Sequence, residues 1–221
     1  TTQAIFPEGG LSLDGRVGAA KMGLLSYIVE GFDPAGRDVV FVPVGLAYDR
    51  VLEDRTLVEA AAAGTRRFRN RPLWVAWHAL RYSWAHLRGR TKGFGTAAAG
   101  FGAPVALRAH LAAGGTVETL GERLMAAIAD VVPVLSVPLV ACALGEPVAD
   151  KAALLARVEA LVARLQAAGA VLKLPPQGMA AALDEGLAAL QARGLVTGVQ
   201  PVAAEARLLA FYAAPVLQRL S

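Results

Sequence analysis

At 221 residues the chain has room for one large domain or two small ones, and a hydrophobic fraction of 55% is enough to bury a substantial core. One cysteine, Cys142, excludes an intrachain disulfide and gives no cysteine metal cluster, so no metal site is expected. The net charge of +4 points toward anionic partners, and the segment Thr1-Thr2-Gln3 lacks the charged start of a signal peptide.

In chain order, residues 3–6 predict a short strand that stops at Pro7. Because the sequence runs straight into this strand, a piece of a longer protein is expected. Residues 19–29 predict a helix, ended by Gly31 and Pro34. The apolar run 39–44 suits a strand covered on both faces, as in a parallel sheet, and strand–helix–strand predicts an α/β first half. Residues 56–63 predict a helix. Asn70 and Pro72 mark the start of another, reaching Arg88, with Leu73, Trp77, Leu80, Trp84 and Leu87 on one stripe. Residues 94–107 hold a last strand before Pro104.

Beyond Gly114-Gly115 the texture becomes helical, which predicts two units, residues 1–115 and 116–221. Thr119 and Glu122 have capping-box spacing. The apolar stretch 124–144 contains Asp130, Pro133, Ser136 and Pro138, which favours two short buried helices joined near Pro133 over a membrane span. Asp150 caps a helix ended by Gly169, and residues 178–193 form another ended by Gly194. Residues 195–199 and 207–211 are expected to pair as a hairpin, and 212–220 to be helical. Helices followed by a hairpin make a winged-helix-like pattern.

Charge is unevenly spread. No acidic residue lies between Glu59 and Glu118, whereas that gap holds nine arginines and lysines and all three histidines. Such a patch attracts phospholipid headgroups, a phosphorylated substrate, an acidic carrier protein or nucleic acid, or is a solvated arginine-rich surface.

Two strings carry chemistry. Phe6-Pro7-Glu8-Gly9-Gly10 is followed by Ser12, Asp14-Gly15-Arg16 and Lys21-Met22-Gly23. Proline and glycines end a strand and let backbone N–H groups approach a ligand, with a carboxylate and two cations close by. A tight turn with a surface ion pair would look the same. The second string is Val42-Pro43-Val44 with Tyr48-Asp49. In this order and separation the two resemble the third and fourth conserved blocks of the glycerol-3-phosphate acyltransferases of phospholipid synthesis. Glu8, Gly9, Gly10, Ser12, Gly15, Arg16, Lys21 and Gly23 match the third block. Val42, Pro43, Val44 and Tyr48 match the fourth. Leu11 and Leu13 stand where the family usually has arginines, and Ala47 and Asp49 are further departures.

The resemblance implies an α/β fold: the remainder of the acyltransferase sheet domain, followed by a mainly helical, winged-helix-like region. It implies transfer of a fatty acyl group from acyl-CoA or acyl-carrier protein to glycerol 3-phosphate, with no cofactor. Glu8, Gly9, Gly10, Ser12, Arg16, Lys21, Pro43 and Tyr48 are the implied substrate-binding residues. The family's catalytic His-x-x-x-x-Asp is absent: His78, His86 and His110 are each followed five residues on by a residue other than aspartate. The chain by itself is therefore expected to be inactive, with no catalytic residue of its own. The histidines are expected to be partly exposed.

Substrates of this class sit at a bilayer, so a peripheral location on the cytoplasmic face of the inner (plasma) membrane is expected. Docking is assigned to Trp74, Trp77, Arg81, Trp84 and Arg88, although the same stripe suits packing on a sheet. Two alternatives remain. The acceptor could be dihydroxyacetone phosphate or a lysophospholipid, given Leu11 and Leu13. From another class, a basic winged-helix module could bind nucleic acid, a reading disfavoured because the helix 178–193 carries Asp184 and Glu185 against Arg193.

Overall fold

The structure, a computed structural model, describes residues 2–64 and 95–221. The expected helix 70–88, its docking residues Trp74, Trp77, Arg81, Trp84 and Arg88, and His78 and His86 lie outside the described residues. Among the described residues the fold is mixed α/β, with eight α-helices and small two-stranded sheets.

Residues 2–21 form no strand, contrary to the expected one at 3–6. The carbonyls of Phe6 and Pro7 are instead taken by the amides of Gly9 (2.9 Å) and Lys21 (2.8 Å), which fold the segment back on itself. Helix α1 (Met22–Glu30) follows and ends at Gly31. The apolar run after it breaks at Pro43 into β1 (Val40–Phe41) and β2 (Val44–Tyr48). Helix α2 (Asp54–Ala62) comes next. Beyond the break in the description lie β3 (Ala97–Phe101), β4 (Val105–Ala106), α3 (Leu107–Ala112) and α4 (Val117–Val131).

β1 pairs with β4, and β2 with β3, both antiparallel. The expected parallel sheet is thus absent among the described strands. Among the described residues, parallel contact is confined to an isolated bridge between Val134 and Leu172. Among the described residues β2 and β3 are covered on one face only. Gly45 and Ala47 turn toward the end of α4, and the alternating residues Val44, Leu46 and Tyr48 face away and are exposed, as are Val40, Val42 and Phe101.

The covered face needs glycine. A Cβ at Gly100 would stand 1.9 Å from the Val131 carbonyl oxygen, and one at Gly45 2.6 Å from the Val132 nitrogen. The last turn of α4 therefore lies flat on the backbone of the β2–β3 pair. Gly100→Ala is expected to lower unfolding free energy by about 1–3 kcal/mol through overpacking. A urea titration checks it, and an unchanged midpoint would contradict this packing.

The cap of α4 lies one turn earlier than the sequence suggests. Thr116 and Thr119, rather than Thr119 and Glu122, exchange side-chain and backbone hydrogen bonds (2.9 and 3.3 Å). Helix α4 and helix α5 (Ser136–Ala143) split the long apolar stretch at Pro133, as expected. Helices α6 (Lys151–Ala167) and α7 (Met179–Ala192) follow, the former capped by Asp150.

The expected hairpin is only half present. β5 (Val196–Thr197) pairs with β6 (Gln200–Pro201), whereas residues 207–211 belong to the last helix, α8 (Ala206–Leu220). Leu208, Leu209, Phe211 and Tyr212 are buried there and Ala210 between them is exposed, paired buried positions that fit the inward face of a helix and not the alternation of a half-exposed strand. Helix α5 is buried along almost its whole length, with α6, α7 and α8 around it, and this bundle holds the larger core. A smaller core joins Leu25 of α1 and Val105 of β4 to Leu107 of α3 and Leu120 and Leu124 of α4. No helix among the described residues is long and apolar enough to cross a membrane.

Candidate functional site

The first string becomes a closed loop. The Lys21 amide bonds the Pro7 carbonyl, so the chain leaves at Pro7 and returns beside it at Lys21. Gly9 sits at the mouth with φ +67°, a backbone conformation that favours glycine. The Lys21 side chain lies over it: a Cβ at Gly9 would meet Lys21 Cδ at 2.7 Å and Nζ at 3.3 Å. The Glu8 carboxylate reaches toward Gly18, where a Cβ would stand 3.5 Å from Oε2. The loop thus brings Glu8, Gly9 and Lys21 together, with Gly10 exposed beside them.

The middle of the loop is a tight turn built by its own polar side chains. Ser12 Oγ accepts from the Gly15 amide and donates to Asp14 Oδ1, both at 3.0 Å, and Asp14 Oδ1 also accepts from the Arg16 amide at 3.0 Å. Ser12 therefore holds the turn, and the Arg16 side chain is left exposed on it. Leu13 points the other way and packs against the larger core, whereas Leu11 is exposed. The position where the resemblance expects a second arginine is an anchor for the loop.

Pro43 and Tyr48 lie elsewhere. Pro43 is buried and its carbonyl accepts from the Gly102 amide at 2.9 Å, while Tyr48 is on the exposed face of β2. Helix α4 stands between them and the loop. Its Gly121 lies against Met22 and Ala20, and its Val131 against Gly100, roughly 15 Å further along the axis. The structure brings Glu8, Gly9, Gly10, Ser12, Arg16 and Lys21 into one loop and leaves Pro43 and Tyr48 on the sheet.

Asp49, at the end of β2, is a buried carboxylate that the sequence marks only as a departure from the family's fourth block. Its Oδ2 accepts from the Thr96 amide at 2.9 Å and its Oδ1 from the Val137 amide at 3.2 Å, in the first turn of α5. It joins strand, sheet partner and central helix. Burial pushes its carboxyl above the ordinary value of 3.8, and nearby Glu185 adds to the rise, against the pull of the two amides. A raised carboxyl means that the folded state holds the proton more tightly than the unfolded chain. Stability is then lost as pH rises through the window just above 3.8. Asp49→Asn is expected to flatten this decline in a series of urea titrations, and an unchanged slope would contradict the assignment.

His110 corrects the expectation of exposure. It is buried, its Nε2 lies 2.9 Å from the Thr116 carbonyl oxygen, and Gly115 leaves no room beside its ring, where a Cβ would stand 2.3 Å from Nε2. The ring braces the turn between α3 and α4. Among the described residues no group of three or more His, Cys, Asp or Glu side chains is placed to hold a metal ion.

With the geometry in place, kinship fixes the class. Residues 76–216 match the family described as the glycerol-3-phosphate acyltransferase C-terminal region. No protein of curated function matches the chain. The match covers more than half of the sequence, so the chain belongs to the glycerol-3-phosphate acyltransferase family, as an acyltransferase of which it carries the C-terminal region. The matched stretch begins beyond both strings and runs through the helical bundle.

Proposed function

We propose that the chain is part of an enzyme that moves a fatty acyl group from acyl-CoA or acyl-carrier protein to the 1-hydroxyl of glycerol 3-phosphate in phospholipid synthesis. The family match over residues 76–216 carries this reading. The loop adds the acceptor site: Lys21 and Arg16 hold the phosphate, glycines 9 and 10 let backbone come close, and Ser12 and Glu8 shape the turn. Pro43 and Tyr48, which stay on the sheet apart from this loop, are the remaining substrate-binding residues that the family resemblance implies. Residues 1–115 serve as the catalytic-domain part and 116–221 as the helical part.

In the reaction, a base takes the proton of the acceptor's 1-hydroxyl, and the oxygen attacks the thioester carbonyl. The C–S bond then breaks, and the leaving sulfur takes back the proton held by the base and departs as the thiol. His110 is committed to the α3–α4 turn and is not the base in this reading. The cations place the correct hydroxyl by fixing the phosphate.

Acylation of glycerol 3-phosphate, dihydroxyacetone phosphate and a lysophospholipid by the full-length gene product tests the acceptor. Preference for glycerol 3-phosphate is expected, and preference for either competitor would overturn the assignment. We also propose peripheral attachment to the cytoplasmic face of the inner membrane through Trp74, Trp77, Arg81, Trp84 and Arg88. Flotation with anionic but not neutral vesicles is expected, and equal recovery with both would count against it.

A further inference from the structure

We infer that the last helix is the seat of the acceptor loop and that Gln218 is a positioning residue, clamping Val17 so that Arg16 and Lys21 meet the acceptor's phosphate. The inference rests on the proposed acceptor site and deepens it.

The clamp is bidentate. The Val17 amide donates to Gln218 Oε1 at 2.8 Å, and Gln218 Nε2 donates to the Val17 carbonyl at 2.9 Å. One side-chain amide thus satisfies both backbone groups of a loop residue, as a neighbouring strand would. Val17 directly follows Arg16, whose own amide is fixed by Asp14, and Lys21 returns to Pro7. Arg16 therefore sits between two fixed points, and the segment leading to Lys21 starts from a clamped residue.

A second contact lies on the same face of α8. Pro215 has no N–H, so the Phe211 carbonyl four residues earlier lacks its usual helical donor. Gly15 is pressed against that carbonyl, at φ +84°, so closely that a Cβ would stand 2.2 Å from the Phe211 oxygen and 3.3 Å from Ala214 Cβ. Phe211, Ala214 and Gln218 recur at helical spacing, so they present one face. Leu13 packs against the bundle core. Gly15 and Val17 are thus anchored on the tail, and Arg16 between them is exposed.

The interface sets geometry more than it supplies core. Gln218 is only partly buried and its neighbour Leu217 is exposed. Methionine has similar length and helix propensity to glutamine but cannot make either hydrogen bond to Val17. Gln218→Met therefore removes the clamp and keeps the helix.

The test is steady-state acylation by the full-length gene product, with Gln218→Met, Gln218→Glu and Lys21→Ala beside wild type, and melting midpoints recorded for each. Gln218→Met is expected to raise the KM for glycerol 3-phosphate about tenfold, with kcat at saturating acceptor and the KM for the acyl donor within about twofold. Gln218→Glu keeps an acceptor for the Val17 amide and is expected to give a smaller rise. It serves as the informative variant if the methionine protein does not fold. An acceptor KM that moves for Lys21→Ala but for neither Gln218 variant overturns the clamp and leaves the site standing. If none of the three moves it, the site fails and the inference with it. A fall in melting midpoint with equal losses for donor and acceptor would mean that Gln218 only holds the fold.

Discussion

Asp54→Ala is expected to be the most destabilising change in the described residues considered so far, costing about 3–5 kcal/mol, because it breaks a buried ion pair and leaves one charge behind. Asp54 opens α2 and is 1% exposed. Its carboxylate receives Arg193 Nη2 (2.6 Å to Oδ2, 2.8 Å to Oδ1), the Tyr212 hydroxyl and the Arg55 amide (2.7 Å). Arg193 Nη1 also donates to the Tyr212 oxygen at 2.8 Å, and its guanidinium stands 5.6 Å from the centre of that ring.

The three residues come from α2, the end of α7 and α8, so the cluster fastens the first half of the chain to the bundle. Burial first, and then Asp54, pushes the Tyr212 phenol well up, so it remains a donor through the neutral range. Tyr212→Phe keeps the Asp54–Arg193 pair and is expected to cost about 1–2 kcal/mol. Urea titration of both variants separates the terms. A loss below about 1 kcal/mol for Asp54→Ala would mean the pair behaves like a solvated one.

Lys21→Ala is expected to raise the KM for glycerol 3-phosphate roughly tenfold to a hundredfold, the worth of one charge-assisted hydrogen bond of about 1.5–3 kcal/mol. Lys21 is exposed, so the unfolding midpoint is expected to stay where it is. The side chain lies across Gly9 at the mouth of the loop, where a phosphate would meet the cation and the approachable backbone together. Lys21→Arg keeps the charge but spreads it over a planar fork and is expected to recover part of the loss. Steady-state kinetics on the full-length gene product decides. An acceptor KM unchanged in Lys21→Ala would remove this residue from the phosphate site.

Local features of the fold were legible in the sequence. Helix α6 starts at Asp150 and ends before Gly169 because a capping carboxylate and a left-handed glycine act within one turn. The break at Pro133 follows equally from local chemistry. Sheet architecture did not yield in the same way. An apolar run such as 39–44 reads as a doubly covered parallel strand, yet Pro43 divides it and α4 covers one face only. Residues 207–211 have strand-like apolarity, but a helix buried in a bundle needs the same residues.

The turn after Pro7 was legible from its proline and glycines. Its support was not, because Val17–Gln218 and Asp54–Tyr212 join residues 201 and 158 positions apart, and no local spacing announces them. Single polar residues amid apolar helical positions, such as Tyr212 beside Phe211, were the only available sign. Leu13 was legible as a departure from the family's arginine, and its role became clear only from the core it enters.

The most direct measurement compares acylation of glycerol 3-phosphate by membranes carrying the full-length wild-type gene product with that by membranes carrying Glu8→Ala at equal protein level. The account predicts 1-acyl-glycerol 3-phosphate from wild type and a loss of at least about tenfold in kcat/KM for the acceptor in Glu8→Ala. A wild-type enzyme that leaves glycerol 3-phosphate untouched while acylating another hydroxyl compound would contradict it.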